Sequence, residues 1–305
     1  MPALAAGVDY VDLNFLGRPE IIATAILHGA AGVALIDPGP STTLDNLTTA
    51  LTRKGIRFDD VRQILVTHIH LDHSGSVGSI VAKFPHIEVV VHERGAPHLA
   101  DPSKLVASAG RLYQQDMDRL WGEIAPVDRA RLKMIEGGDR LMVAGRELET
   151  AYTPGHASHH VSFFDPESRV AFVGDTAGIC RADSPYVMPP TPPPDIDVET
   201  WRQSAAKILA WDPDTLFLTH FGPRGGARQH FQAMFENIDG WSRIVRRLLA
   251  DHAIQDGERQ QQFVDEAYRE IKRKIGETDA ADYVRAGGLN YSYQGLARYW
   301  RKHAA

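Results

Sequence analysis

The chain has a single cysteine, Cys180, in 305 residues, so no disulfide can form within it. That fits a reducing compartment. No run approaches about 18 unbroken apolar residues, and no membrane span is expected. Positive charge is not in excess: 33 Lys and Arg stand against 39 Asp and Glu, a net charge of -6. Chains that live on nucleic acid carry the opposite balance or a dense basic face, so no nucleic-acid partner is expected. The N-terminus, MPALAAG, has no Lys or Arg before an apolar run, and Asp9 and Asp12 follow at once. It does not read as a secretory leader, and a cytoplasmic location is expected. No repeat at a solenoid period is present. Hydrophobic residues at 43% and charged residues at 24% exclude wholesale disorder.

What is present is a pattern of short β-like runs alternating with helical ones. Residues 21–28 and 33–36 read as strands, and 43–54 as a helix with Leu44, Leu47 and Leu51 on one face. A buried strand ends at Ile64-Leu65-Val66, a helical face follows with Val77, Ile80, Val81 and Phe84, and 87–91 is a strand. Residues 97–130 carry little β signal and read as a helical insert. Strands resume at 132–135, 140–143, 147–153, 160–164, 169–173 and 215–218. Pro185 to Pro194 reads as a stiff surface loop. Asp197 reads as the N-cap of a helix carrying Trp201, Ala205, Ile208 and Leu209. From residue 229 the period is helical. This predicts a layered α/β domain over 1–225 and a helical extension over 226–305.

Fourteen histidines are also present, and some are organised. Residues 67–73 read Thr-His-Ile-His-Leu-Asp-His directly after a hydrophobic strand. Alternate side chains of extended backbone share a face, so His68 and His70 project the same way, with Asp72 and His73 on the turn beyond. Imidazole and carboxylate donors at the end of a rigid strand suit a metal ion. His28, His86, His230, His252 and His303 read as ordinary polar residues. His92 and His98 flank the insert and are candidates for a pocket mouth.

His-x-His-x-Asp-His after a strand resembles the metallo-β-lactamase superfamily, glyoxalase II-like or lactonase-like branch. Four further segments resemble the family's other motifs in order. These are Leu35-Ile36-Asp37-Pro38-Gly39, Thr153-Pro154-Gly155-His156, Val173-Gly174-Asp175-Thr176 and Leu218-Thr219-His220-Phe221-Gly222. Together they span residues 33–222. The resemblance implies a four-layer αβ/βα sandwich. It also implies two divalent metal ions, zinc by preference, with iron or manganese as alternatives. His68, His70 and His156 would hold one ion and Asp72, His73 and His220 the other, with Asp175 bridging. Asp72 would also orient the hydroxide, and Asp37 would steady the histidine segment through hydrogen bonds.

The implied reaction is attack by a metal-bridging hydroxide on an ester, thioester or lactone carbonyl of a small molecule. A mononuclear iron sulfur dioxygenase of persulfides is the alternative, followed by a β-lactamase or phosphodiesterase. Flavodiiron proteins carry a glutamate where this chain has His70. The tyrosine that many acyl-homoserine-lactone lactonases place three residues after the bridging aspartate is Gly178 here. Tyr186, Met188 and Trp121 are candidate pocket-wall residues, with core or loop packing the slightly favoured reading for each. The insert could also serve a homodimer contact.

Overall fold

The computed structural model describes residues 4–181 and 184–303. Two mixed six-stranded sheets carry the fold. The first runs in order β1 (Val8–Asp12), β2 (Ala23–Gly29), β3 (Gly32–Ile36), β4 (Val61–Leu65), β5 (Glu88–His92), β6 (Leu132–Ile135). Its first three strands pair antiparallel and the remainder parallel. The second contains β7 (Arg140–Val143), β8 (Arg146–Tyr152), β9 (Val161–Asp165), β10 (Val170–Phe172), β11 (Thr215–Leu218) and β12 (Gly222–Arg224), again as neighbours in chain order. Only β10 and β11 pair parallel in it.

Alternating side chains decide the layers. Ala25, Leu27, Ile36, Leu65 and Val90 from one sheet meet Val143, Leu148, Val161, Phe163, Phe172 and Phe217 from the other in one buried core. The opposite face of the first sheet is covered by α1 (Leu44–Arg53) and α3 (Val77–Lys83), with Leu47, Leu51, Val77 and Ile80 inward, while the one-turn α2 (Leu71–Ser74) packs its Leu71 against Ala109 and Trp121. The helical segment between β5 and β6 consists of α4 (Ala96–Ala100), α5 (Ser103–Tyr113) and α6 (Met117–Leu120).

The far face of the second sheet is covered by α7 (Val198–Ala210) and by α8 (Ala227–Ala250), α9 (Asp256–Ile275), α10 (Glu277–Gly287) and α11 (Leu289–Lys302). The result is the expected αβ/βα sandwich with C-terminal helices. The Asp197 side chain accepts from Thr200 N at 2.9 Å and caps α7. One apolar core runs from Leu216 and Trp201 across residue 226 to Trp241, Phe263 and Tyr293. No helix among the described residues is long and apolar enough to cross a membrane.

Several expectations need correction. Pro185 to Pro194 is not a surface loop: Tyr186 through Thr191 are buried beneath the C-terminal helices. Its carbonyls are satisfied there, Val187 O by Asn237 Nδ2 at 2.8 Å and Tyr186 O by the Tyr283 hydroxyl at 2.7 Å. Proline removes donors that a buried segment would otherwise have to pair. Strands β1 and β12 lie where no periodic signal marks them. Asp72 and His73 sit on a helical turn that Ser74 closes, and the next helix opens at Val77.

Candidate metal centre

Every site segment leaves a strand end on the same side of the sandwich. β3 delivers Asp37, whose φ of +52° turns the chain sharply. β4 delivers His68 and His70 on extended backbone and α2 adds Asp72 and His73. The β8–β9 connection carries His156, the turn after β10 carries Asp175, and His220 follows β11. Gly174 has φ +44°, and a Cβ there would lie 2.4 Å from Thr67 Oγ1, so only glycine lets the Asp175 turn approach the histidine segment this closely.

The seven side chains converge in two groups. His68, His70, His156 and Asp175 form one, and Asp72, His73 and His220 the other, with the donor atoms of each group within 4.8 Å of one another. His70 Nδ1 lies 2.9 Å from both His68 Nε2 and His156 Nε2. Asp175 faces both groups. Its Oδ2 is 3.3 Å from His156 Nε2, while its Oδ1 is 3.3 Å from His73 Nε2 and 3.5 Å from His220 Nε2. Asp72 Oδ2 is 3.2 Å from His220 Nε2. Two donors each ~2.0–2.1 Å from a tetrahedral ion stand about 3.3 Å apart, so these separations suit one ion per group. His73 Nε2 and Asp175 Oδ1 are buried without a hydrogen-bond partner among the described residues, which also fits donors built for a cation.

Hydrogen bonds aim the rings. His156 Nδ1 donates to Pro190 O at 2.8 Å and His220 Nδ1 to Ile21 O at 2.7 Å. Each bond fixes the tautomer and leaves Nε2 free toward the centre. Asp37 accepts from Thr67 N, the Thr67 and Thr219 hydroxyls and His73 Nδ1, all at 2.7–2.8 Å. The one Thr67 hydroxyl proton goes to Asp37, so Thr67 Oγ1 accepts from His68 Nδ1 at 3.2 Å. These threonines are functional residues that motif reading missed; their signal is a hydroxyl immediately before a ligand-type histidine.

Electrostatics divides the cluster. Burial, then neighbouring imidazoles, holds His68 well below its usual pKa, and burial and His156 lower His70 to about 4. Burial opposes protonation of His73 and His220, but Asp175 and the other carboxylates around them more than offset it and raise both. Burial raises Asp72 and Asp175, yet His73 and the other imidazoles win, holding Asp72 at about 2 and Asp175 well below the carboxylate range. Asp72 and His70 are the partly exposed members of the site; a quarter of the Asp72 side chain is exposed, against 0–6% for His73, His156, Asp175 and His220.

A family model described as "Metallo-beta-lactamase superfamily" matches residues 18–220. The chain belongs to the metallo-beta-lactamase superfamily. It is a metal-dependent hydrolase of that superfamily. It is 26% identical over 207 residues to the metallo-beta-lactamase fold-containing protein ST1585 of Sulfurisphaera tokodaii, covering 67% of this chain and 74% of that one. The crystal structure of ST1585 superposes with a TM-score of 0.66 at 21% identity, over 95% of this chain and 98% of that one. The metallo-beta-lactamase family protein TTHA1429 of Thermus thermophilus gives 0.70 at 22% identity, over 99% and 96%. A hydroxyacylglutathione hydrolase of Rhodopseudomonas palustris is 32% identical over 130 residues, 43% of this chain, and the match spans only 38% of that relative.

Other expected residues lie elsewhere. Tyr186 and Met188 belong to the core under the C-terminal helices. His92 does not line a mouth: it is 2% exposed and stacks on Tyr152 at 4.4 Å. His230 is buried, not an ordinary surface group, with Nε2 donating to Ala177 O at 2.7 Å. His160 lies beneath His68, ring centroids 4.9 Å apart, and bonds Thr153 Oγ1 at 3.0 Å. Trp121 alone of the wall candidates stands beside the centre, packed with Leu71 and stacked on Phe15 at 5.8 Å.

Proposed function

We propose that this chain hydrolyses an ester, thioester or lactone of a small molecule, using two divalent ions, zinc by preference. The observation that carries the reading is Asp175, whose two oxygens face two separate histidine groups. His68, His70 and His156 would hold one ion and Asp72, His73 and His220 the other, with Asp175 shared. When bound, such a pair supplies an activated water near neutral pH and polarises a carbonyl oxygen. Asp37 and the Ile21 and Pro190 carbonyls keep the imidazoles in place. Asp72, ionised and open to the substrate side, accepts a hydrogen bond from the attacking water and aligns it on the carbonyl carbon. The matches to hydroxyacylglutathione hydrolases favour a thioester, and they support the class of bond, not its acyl group. The acidic balance of -6 favours a substrate other than nucleic acid.

Elemental analysis of the purified protein, followed by turnover on thioester, lactone, β-lactam, phosphodiester and persulfide panels, tests this. About two metals per chain and carbonyl hydrolysis are expected. A single iron with oxygen consumption on a persulfide would replace this reading with the dioxygenase.

A further inference from the structure

An aromatic wall stands beside the centre, built by three segments remote in sequence. Leu71, between His70 and Asp72, packs with Ala109 of α5 and with Trp121, and Phe15 and Tyr113 pack against this group. Tyr113 is the last residue of α5. Its ring lies 5.0 Å from Trp121 and 5.3 Å from Tyr291 of α11, edge-on to both. The Tyr291 hydroxyl donates to Leu112 O at 3.3 Å, tying the C-terminal helix to the end of α5. The Tyr113 phenol itself is half-buried. Burial first, then the charges of Asp72, Tyr291 and Asp175, raise its pKa well above the usual tyrosine value, and no hydrogen bond contributes. The hydroxyl is a protonated donor at neutral pH, and among the described residues it makes no hydrogen bond. Half-buried on the wall beside the ligand segment, this phenol is open to a bound molecule as well as to water.

We propose that the Tyr113 phenol donates a hydrogen bond to the substrate's oxygen at the metal centre, and that Trp121 and Tyr291 hold it there. This rests on the hydrolase reading above. It also gives the insert and the C-terminal helix a common role, in which α5 supplies the donor and α11 steadies it.

The test uses the metal-loaded full chain and two readouts, steady-state hydrolysis and calorimetric binding of acetohydroxamate as an oxygen-donor probe. Tyr113→Phe should keep its metal content and circular dichroism. Its kcat should fall by about 10²-fold, as for loss of one transition-state donor, with KM within about threefold. Probe affinity should fall about tenfold, the rough worth of one hydrogen bond. Tyr291→Ala should lower kcat in the parent and add nothing in the Tyr113→Phe background, because both act through one hydroxyl. A parent that hydrolyses esters, paired with a Tyr113→Phe variant unchanged in kcat and probe affinity, overturns the assignment and leaves the hydrolase reading standing. A parent inactive on every ester, with probe affinity still falling in Tyr113→Phe, sinks the hydrolase reading and keeps the contact. If the parent is inactive and the affinities are equal, both fail.

Discussion

His73 donates through Nδ1 to Asp37 Oδ2 at 2.8 Å, with both side chains wholly buried. The same oxygen accepts from Thr67 and Thr219, so one carboxylate ties three of the five motifs together. Asparagine at 37 keeps the size but turns a donor toward these donors and leaves buried groups unpaired. Asp37→Asn should weaken metal binding by about 10–100-fold, the usual cost of losing a partner that orients a ligand. Competition with a chromophoric chelator reads this directly, and unchanged affinity would show that the carboxylate has no part in aiming His73.

The metal-free protein should be less stable at pH 5 than at pH 7. Burial lowers the pKa of His68, His70, His156, His159, His160 and His230. Between about 6.5 and 4 the unfolded chain therefore takes up protons at these positions that the folded chain refuses, and stability falls as pH falls. His73 and His220 work the other way: their raised pKa values give stability present below 6.5 and lost as pH climbs through the folded values. Six groups outweigh two below pH 6.5. Urea titrations of the chelator-treated protein at the two pH values check the sign.

Removal of His70 should separate fold from function. The residue donates to one group only, while the second group and the bonds of Asp37 do not involve it. His70→Ala should retain the native circular dichroism, drop from about two metals per chain to about one, and lose hydrolysis. Full turnover by this variant would contradict the two-ion reading.

The centre was legible because each motif is local: a strand, then a donor at its end. Segments without such a signature were not. β12 has three residues including Pro223, and β1 contains two aspartates, so neither shows an apolar alternation. The Pro185–Pro194 segment defeats local reading because proline marks a turn or surface loop, whereas its burial depends on α8, α10 and α11, which arrive some fifty to a hundred residues later. Tyr113 was hidden for the same reason: nothing in its neighbourhood of sequence says that Leu71 and Tyr291 will lie beside it.

Gly174 sets the distance between the Asp175 turn and the histidine segment. A Cβ there would meet Thr67 Oγ1 at 2.4 Å and His160 Nε2 at 2.8 Å, and the φ of +44° is strained for any other residue. Gly174→Ala should cost about 1–3 kcal/mol and displace Asp175, lowering metal content along with the melting temperature. A stable variant with full metal content would mean that the turn can open without moving the carboxylate.

Arg146 and Asp165 form an ion pair far from the chemistry, 2.5 Å apart with 7% and 0% of their side chains exposed. Arg146 also donates to Ala6 O at 3.2 Å, so the pair joins the β8–β9 hairpin to the N-terminal segment. Asp165 Oδ1 has no partner among the described residues, and Arg146 supplies the charge that allows the carboxylate to stay buried. Arg146→Met would leave that charge unpaired and should cost about 3–5 kcal/mol, with kcat and metal content unaltered. Adding Asp165→Leu should recover most of the loss, because the penalty arises from the abandoned carboxylate and not from missing attraction. If the double variant is no more stable than Arg146→Met, the contact with Ala6 is the larger contribution, and a truncation before residue 7 should then destabilise the parent by a similar amount.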